Sequence, residues 1–70
     1  MDDVTPCLTC DIELELSGPN AATVNKWCAD ALRKLADRIE RDDFDTGHHS
    51  VTDEVGKLIG TIYLDHYGDA

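Results

Sequence analysis

Residues Leu8 to Leu16 alternate strictly between apolar and polar side chains, and this pattern constrains the fold more than any other in the chain. Leucine, isoleucine and cysteine occupy the even positions, whereas threonine, aspartate and glutamate occupy the odd ones. A period of two is typical of a β-strand with one face on a core and the other in water. The sequence therefore predicts a strand over Leu8–Leu16 whose outer face is acidic.

A long amphipathic helix is predicted to follow. Gly18 and Pro19 end the strand, and Ser17 or Asn20 can cap the N-terminus of a helix. From Asn20 to about Arg41, apolar residues recur every three or four positions and make one stripe. The stripe consists of Val24, Trp27, Cys28, Ala31, Leu32, Leu35 and Ile39. We expect it to supply most of the core.

Two further strands are predicted after an acidic loop. Residues 42–47 contain three aspartates and a glycine, which favour turns and resist burial. His48–Thr52 and Leu58–Leu64 have the composition of strands, and Gly56 in the connection between them can take the positive φ that a hairpin needs. The predicted order is thus strand, helix, strand, strand.

Alternation along the last strand assigns its two faces. The inward set is Leu58, Gly60, Ile62 and Leu64, and the outward set is Ile59, Thr61, Tyr63 and Asp65. Gly60 is expected to let the helix approach closely under Trp27. With the last strand between the other two, the chain forms a three-stranded antiparallel sheet with one long helix packed on one face. Seventy residues suffice for a single α+β domain over 1–70.

The charge balance indicates what kind of partner the protein can have. Fifteen Asp and Glu stand against 6 Lys and Arg, which gives a net charge of −9. This charge repels nucleic acid and anionic membranes and attracts basic protein surfaces. The chain lacks an apolar run that could cross a bilayer, and its first residues do not resemble a signal peptide. Its cysteines number three, and an odd number argues against a secreted disulfide scaffold. We expect a soluble cytoplasmic protein that binds a basic protein surface, with no direct contact to nucleic acid or membrane.

Cys7-x-x-Cys10 has the spacing of half a zinc site or of a redox pair. The remaining zinc ligands would have to come from Cys28 or from the three histidines, and no second Cys-x-x-Cys or His-x-x-x-His supplies them. Cys10 and Cys28 fall on apolar faces, so burial as small hydrophobic residues is the simpler interpretation. A zinc site and a Cys7–Cys10 redox pair stay open as alternatives, and no metal or cofactor is assigned.

Patterns of catalysis and nucleotide binding are absent from the sequence. His48 and His49 are adjacent in a strand and therefore point to opposite faces. Ser50 lacks the strand-to-helix elbow of a nucleophile, and the aspartates between 42 and 53 lack the spacing of a calcium-binding loop. The five glycines are scattered rather than gathered into a phosphate-binding loop. The sequence thus predicts a protein that is not an enzyme.

Acidic side chains form two organised sets that could bind a partner. The first lies on the outer sheet face, beside Ile59 and Tyr63, and consists of Asp11, Glu13 and Glu15. The second follows the helix surface into the loop and consists of Asp30, Asp37, Glu40, Asp42, Asp43 and Asp45. An aromatic centre with charged edges is typical of protein interfaces, and spaced carboxylates can imitate phosphates. The excess of 11 Asp over 4 Glu is equally expected of a solvated surface adapted to high salt.

The chain resembles the small acidic proteins of phages and other mobile elements, including anti-CRISPR and other anti-defence inhibitors. The resemblance rests on size, acidity, one helix on a sheet, and Asp53-x-x-Gly56-x-x-x-Gly60 near the end, and it covers the region from Ala31 to Leu64. It implies a non-enzymatic inhibitor that binds a nucleic-acid-handling host complex stoichiometrically, sometimes as a nucleic-acid mimic. It implies no particular contact residue, and Cys7-x-x-Cys10 is not part of the pattern.

A homodimeric structural or accessory domain is the alternative function. In that interpretation Ile59 and Tyr63 pair across a two-fold axis, and Cys7 and Cys10 contribute to a shared zinc site.

Overall fold

The computed structural model describes residues 5–68, which form one helix and one sheet. Strand β1 spans Cys7–Leu14, helix α1 Ala21–Glu40, strand β2 Gly47–Thr52 and strand β3 Leu58–Tyr67. The strands are antiparallel in the order β1-β3-β2. This arrangement confirms the predicted α+β fold with the last strand in the centre. The main differences in length are that β1 ends at Leu14 rather than Leu16 and β3 continues to Tyr67.

Asn20 is the residue that caps the helix N-terminus. Its backbone is extended, and its side-chain Oδ1 accepts a hydrogen bond from the backbone N–H of Thr23 at 2.9 Å. This bond satisfies one of the amides that have no partner in the first turn of a helix. Of the two candidate caps in the sequence, Ser17 and Asn20, the structure uses the second.

The helix ends in a Schellman motif that places Asp42 in the left-handed backbone region. The N–H of Asp42 donates to the carbonyl of Ile39 at 3.0 Å, and that of Asp43 donates to Arg38 at 2.9 Å. Asp42 has a φ of 62°, a conformation that glycine usually occupies at this position. The last carbonyls of α1 are satisfied at the cost of some strain at Asp42.

Asp42→Gly should therefore stabilise the protein. Relief of the unfavourable φ outweighs the added freedom of the unfolded chain, and we expect a gain of about 0.5–1 kcal/mol in the free energy of unfolding. Urea denaturation measures it. Asp43→Gly is the control, because Asp43 lies outside the left-handed region and its substitution should destabilise. Equal losses in the two variants would contradict the prediction.

The core lies between the C-terminal half of α1 and the sheet. Its buried members are Leu35, Phe44, Val51, Ile59, Ile62 and Leu64. Ala31 and Ile39 pack against this cluster from the helix. Phe44 comes from the acidic loop, and the guanidinium of Arg38 lies over its ring at 4.3 Å from the centroid. The loop thus contributes a buried side chain between its exposed carboxylates.

The N-terminal half of α1 packs on the segment that precedes it. A Cβ added to Gly18 would lie 2.8 Å from the Trp27 ring and 3.1 Å from Val24, so these side chains rest directly on that glycine. Trp27 remains 44% exposed. The predicted approach of Trp27 to Gly60 is wrong, since the close neighbours of Gly60 are backbone atoms of Glu13 and Leu14 in β1.

A β-bulge at Ile59 reverses the predicted orientation of two side chains. Val51 pairs with Gly60 and Thr52 with Leu58, which leaves Ile59 as an extra residue in β3. Ile59 is consequently buried, at 8% exposure, whereas Leu58 is 61% exposed. The strict alternation predicted the opposite for both residues and is wrong at this point.

The side of the sheet that carries α1 is called its inner face. The helix leaves this face largely uncovered at β1. Ile12 pairs with the fully buried Ile62 in the centre of the sheet but is itself 39% exposed. Leu8, four residues earlier in β1 on the same face, is 45% exposed. The principal extents of the molecule are 56 × 20 × 18 Å.

Candidate protein-binding face

The outer face of the sheet, opposite α1, carries the first predicted acidic set. Strand register places β1, β3 and β2 side chains in rows across this face. One row is Asp11, Tyr63 and His48, and the next is Glu13, Thr61 and Ser50. Carboxylates, an aromatic ring and hydroxyls therefore share one flat surface, as the sequence predicts for Asp11, Glu13 and Tyr63.

Tyr63 and His48 form the centre of this outer face. Their ring centroids lie 4.6 Å apart at an interplanar angle of 38°. Tyr63 is half-buried, and His48 of β2 packs against one side of its ring. An aromatic ring fixed in this way can bury area against a partner with little further loss of side-chain freedom.

Carboxylates of β1 and β3 lie beside that aromatic centre. Asp11 lies directly opposite Tyr63, and Asp65 lies opposite Thr9 one row further. Asp11 and Glu13 are exposed, and within residues 5–68 no lysine or arginine forms a salt bridge with either of them. Glu15 lies just beyond the strand, exposed, with its backbone N–H bonded to the carbonyl of Ile59 at 2.8 Å. The β1 edge of the face is thus a run of negative charge.

Ile59 does not belong to the outer face. The bulge turns its side chain into the core. The predicted apolar pair of Ile59 and Tyr63 is therefore wrong as a surface feature, and an association of two copies through this face would have to form without Ile59. Tyr63 lies on the outer face without Ile59 beside it.

The second acidic set lies on the other side of the molecule, along α1 and the loop. All six of its residues are outside the core, and five are exposed. Asp30 accepts from Lys26 at 3.2 Å and from Arg33 at 3.0 Å, and Asp43 accepts from Arg41 at 3.3 Å. Part of the helix charge is therefore neutralised by its own neighbours. Since α1 covers the inner face of the sheet, one flat partner surface cannot contact both sets.

The structure does not bring the cysteines into a metal site. Cys7 and Cys10 are exposed and Cys28 is half-buried. The expected burial of Cys10 is wrong, because α1 does not reach over this part of β1. In the described part of the chain, no three His, Cys, Asp or Glu side chains lie close enough together to hold a metal ion.

Two of the three histidines, His49 and His66, attach the acidic loop to the sheet. His48 and His49 point to opposite faces, as predicted, and His49 packs on Phe44 with ring centroids 5.0 Å apart. His49 Nε2 lies 2.6 Å from the Asp45 carbonyl oxygen. His66 hydrogen-bonds to the Thr46 hydroxyl through its backbone N–H and its ring Nδ1. The sequence analysis missed these roles, although an aromatic residue inside an aspartate-rich loop is a signal that the loop docks.

An open groove of about 690 Å³ separates α1 from the β2–β3 turn. Trp27 lines one wall and Val55 the other. Lys34 Nζ reaches across to Glu54 at 2.9 Å, and this hydrogen bond with its charge raises the pKa of Lys34 above its usual 10.5. Both side chains are exposed, so this ion pair contributes little stability.

No helix among residues 5–68 is both long and apolar enough to cross a membrane. Family models, curated proteins and solved structures were all compared with the chain, and none matches.

Proposed function

We propose that the protein is a small non-enzymatic binding domain whose outer sheet face attaches to a basic surface of a larger protein. The observation that carries this proposal is the row Asp11–Tyr63–His48, on the side of the sheet opposite α1. In this row an aromatic anchor lies beside a carboxylate that forms no salt bridge with any lysine or arginine of residues 5–68. Interfaces combine such an aromatic centre with a charged rim.

The outer face suits a basic partner better than the helix surface does. Asp30 is already held by Lys26 and Arg33, so a partner would have to displace existing contacts there. Asp11 and Glu13 have no such cation within residues 5–68. Each exposed ion pair is worth only about 0.2–1 kcal/mol, so charge mainly speeds encounter while Tyr63 supplies contact area.

A nucleic-acid-handling complex of a host cell is the partner class that we propose. Successive outer-face residues of β1 are spaced by about 6.8 Å, which presents carboxylates as a linear array of negative charge. Lys/Arg grooves that bind a phosphate backbone attract an array of this kind. The protein would then act as a stoichiometric inhibitor of the anti-defence type carried by phages and mobile elements.

Reversing the charge of β1 should abolish partner capture. A tagged Asp11→Lys/Glu13→Lys/Glu15→Lys variant and the wild type are incubated with a lysate of the cells that carry the protein, and bound proteins are identified by mass spectrometry. We expect the wild type to retain a basic, nucleic-acid-binding complex that the variant loses, at least tenfold in yield. Capture should also fall with salt, because the Debye length shrinks from about 8 Å at 0.15 M to about 3 Å at 1 M.

Asp37→Lys/Glu40→Lys/Asp45→Lys is the matched control, since it changes the net charge by the same amount on the opposite side of the molecule. Circular dichroism verifies that both variants fold. Loss of capture in the control alone would move the site to the helix and loop. Capture of no basic partner by the folded wild type at low salt would overturn the proposal.

A further inference from the structure

We infer that a second copy of the chain continues the sheet at β1, through antiparallel pairing of β1 with its symmetry mate, so that the uncovered inner faces of the two strands lie side by side. The result is a six-stranded sheet in the order β2-β3-β1-β1-β3-β2 with both helices on one side. This inference goes beyond the proposed function and does not depend on it.

The first argument is the unfinished cover of the sheet. Ile12 and Leu8 point to the helix side but stay 39% and 45% exposed, and Leu32 on α1 is 42% exposed. Cys10, between them on the same face, is exposed as well. The chain exposes 5287 Å², whereas a compact monomer of its mass would expose about 4300 Å². A standard interface removes about 800 Å² from each partner, which is close to this excess.

The second argument is the edge of β1. The strand lies at one end of the sheet, so along its eight residues one row of backbone N–H and C=O groups has no ladder partner among the described strands. Natural edge strands are usually protected by charged side chains, above all lysine, by proline or by a bulge. In Cys7–Leu14 the two charged residues, Asp11 and Glu13, both lie on the outer face, and the bulge of the sheet lies between β2 and β3.

The third argument is that the strand is complementary to itself in one register. With Cys10 on the two-fold axis, Leu8 lies opposite Ile12 of the partner on the inner face. On the outer face Asp11 then lies opposite Thr9, and Glu13 opposite Cys7, so no two carboxylates face each other. Centring the axis on Asp11 instead would pair two aspartates directly, which is destabilising.

The inner face of β1 itself argues against a basic partner there. Its side chains are Leu8, Cys10, Ile12 and Leu14, none of which carries a charge. An apolar surface of the same kind, as on a second copy, matches it. The carboxylates of β1 remain on the outer face, where the two copies would bring them near each other.

Analytical ultracentrifugation of the full chain at low and high salt is the first experiment. We expect a dimer of twice 7.7 kDa whose association strengthens with salt, because screening removes the repulsion between two chains of net charge −9. Partner capture by the outer face should weaken with salt, so failure of one proposal is distinguishable from failure of the other. A monomer at both salt concentrations would overturn the dimer.

Ile12→Asp should convert the dimer to a monomer, lowering association at least a hundredfold. Val55→Asp is the matched control, since it makes the same change at an apolar residue that is 88% exposed in the β2–β3 turn. It should leave the dimer intact. A folded Ile12→Asp variant that still dimerises as the wild type does would overturn the assigned face.

Cross-linking tests the register even if Ile12→Asp fails to fold. In a Cys7→Ser/Cys28→Ser variant the two Cys10 thiols give up two protons and two electrons to diamide, which is reduced to the hydrazine, and a disulfide forms. Directly opposed strand residues have Cα atoms about 4.5–5.5 Å apart, within the range that a disulfide spans. Cys10→Ser/Cys28→Ser, which retains Cys7 alone, should cross-link at least tenfold more slowly. Equal rates would overturn the register.

Discussion

Ile59→Ala should lower the free energy of unfolding by about 3 kcal/mol, whereas Leu58→Ala should lower it by less than about 1 kcal/mol. Ile59 is 8% exposed in the core cluster, so its truncation removes buried methyl groups and leaves a cavity. Leu58 is 61% exposed and already in contact with water. The two residues are adjacent and have the same number of side-chain carbons, so the comparison isolates burial.

Urea denaturation of the wild type and both variants measures the difference. In a domain of this size the Ile59→Ala loss corresponds to a fall of about 12–24 °C in the melting temperature. A larger loss at Leu58 would show that β3 follows regular alternation and that the bulge is absent, and equal losses would contradict the burial of Ile59. The pair of substitutions is therefore a direct test of the backbone geometry.

Gly60→Ala should be nearly as damaging, with a loss of about 3 kcal/mol. A Cβ at this position would overlap the carbonyl oxygen of Glu13 and lie 3.0 Å from the Cα of Leu14. Both neighbours are backbone atoms of β1, which cannot move aside as a flexible side chain can. The end of β1 would have to separate from β3, and thermal unfolding followed by circular dichroism measures the cost.

Gly56→Ala controls for the loss of a glycine as such. Gly56 has a φ of 87° in the β2–β3 turn, and an added Cβ would meet no atom within 4 Å. Its substitution should cost about 1 kcal/mol from backbone strain alone. If Gly60→Ala were no worse than Gly56→Ala, the close approach of β1 and β3 would not be needed for stability.

The elements could be predicted because each depends on a local pattern. The period-two run before Ser17 and the stripe from Val24 to Ile39 each match one type of secondary structure, and Asn20 marks where the second begins. Strand order followed from the direction in which the helix returns the chain. The bulge could not be predicted in this way, since it lies in the pairing of β2 with β3 and interrupts the alternation of β3 at Ile59.

Which side chains are buried was harder to predict than which segments form strands and helices. Alternation in β1 shows that its two faces differ, but it does not show whether anything covers the apolar one, and α1 packs mainly over β2 and β3. Cys10 is exposed for this reason. Phe44 is the converse case, a single apolar residue among aspartates that no periodicity indicates, although it is one of the least exposed side chains.

The candidate site was predicted in outline. Placing Asp11 and Glu13 on the face that also carries Tyr63 required only alternation and strand order, and the register confirms it. The contact of the His48 ring with Tyr63 depends on the register between β2 and β3, which alternation alone does not determine. The same holds for the hydrogen bonds between Thr46 and His66.

The pairing of β1 with β3 also bears on how the chain folds. Leu14 pairs with Gly60 and Cys7 with Tyr67, so β1 joins the sheet only when nearly the whole described chain has been brought together. Closing so long a loop is entropically costly and slow, whereas α1 and the β2–β3 hairpin depend on local contacts. Until β1 pairs with β3, the apolar side chains of β1 are exposed to other chains. The charges of Asp11 and Glu13 then act as gatekeepers that hinder aggregation. The carboxylates that we assign to partner binding thus protect the chain before it is folded.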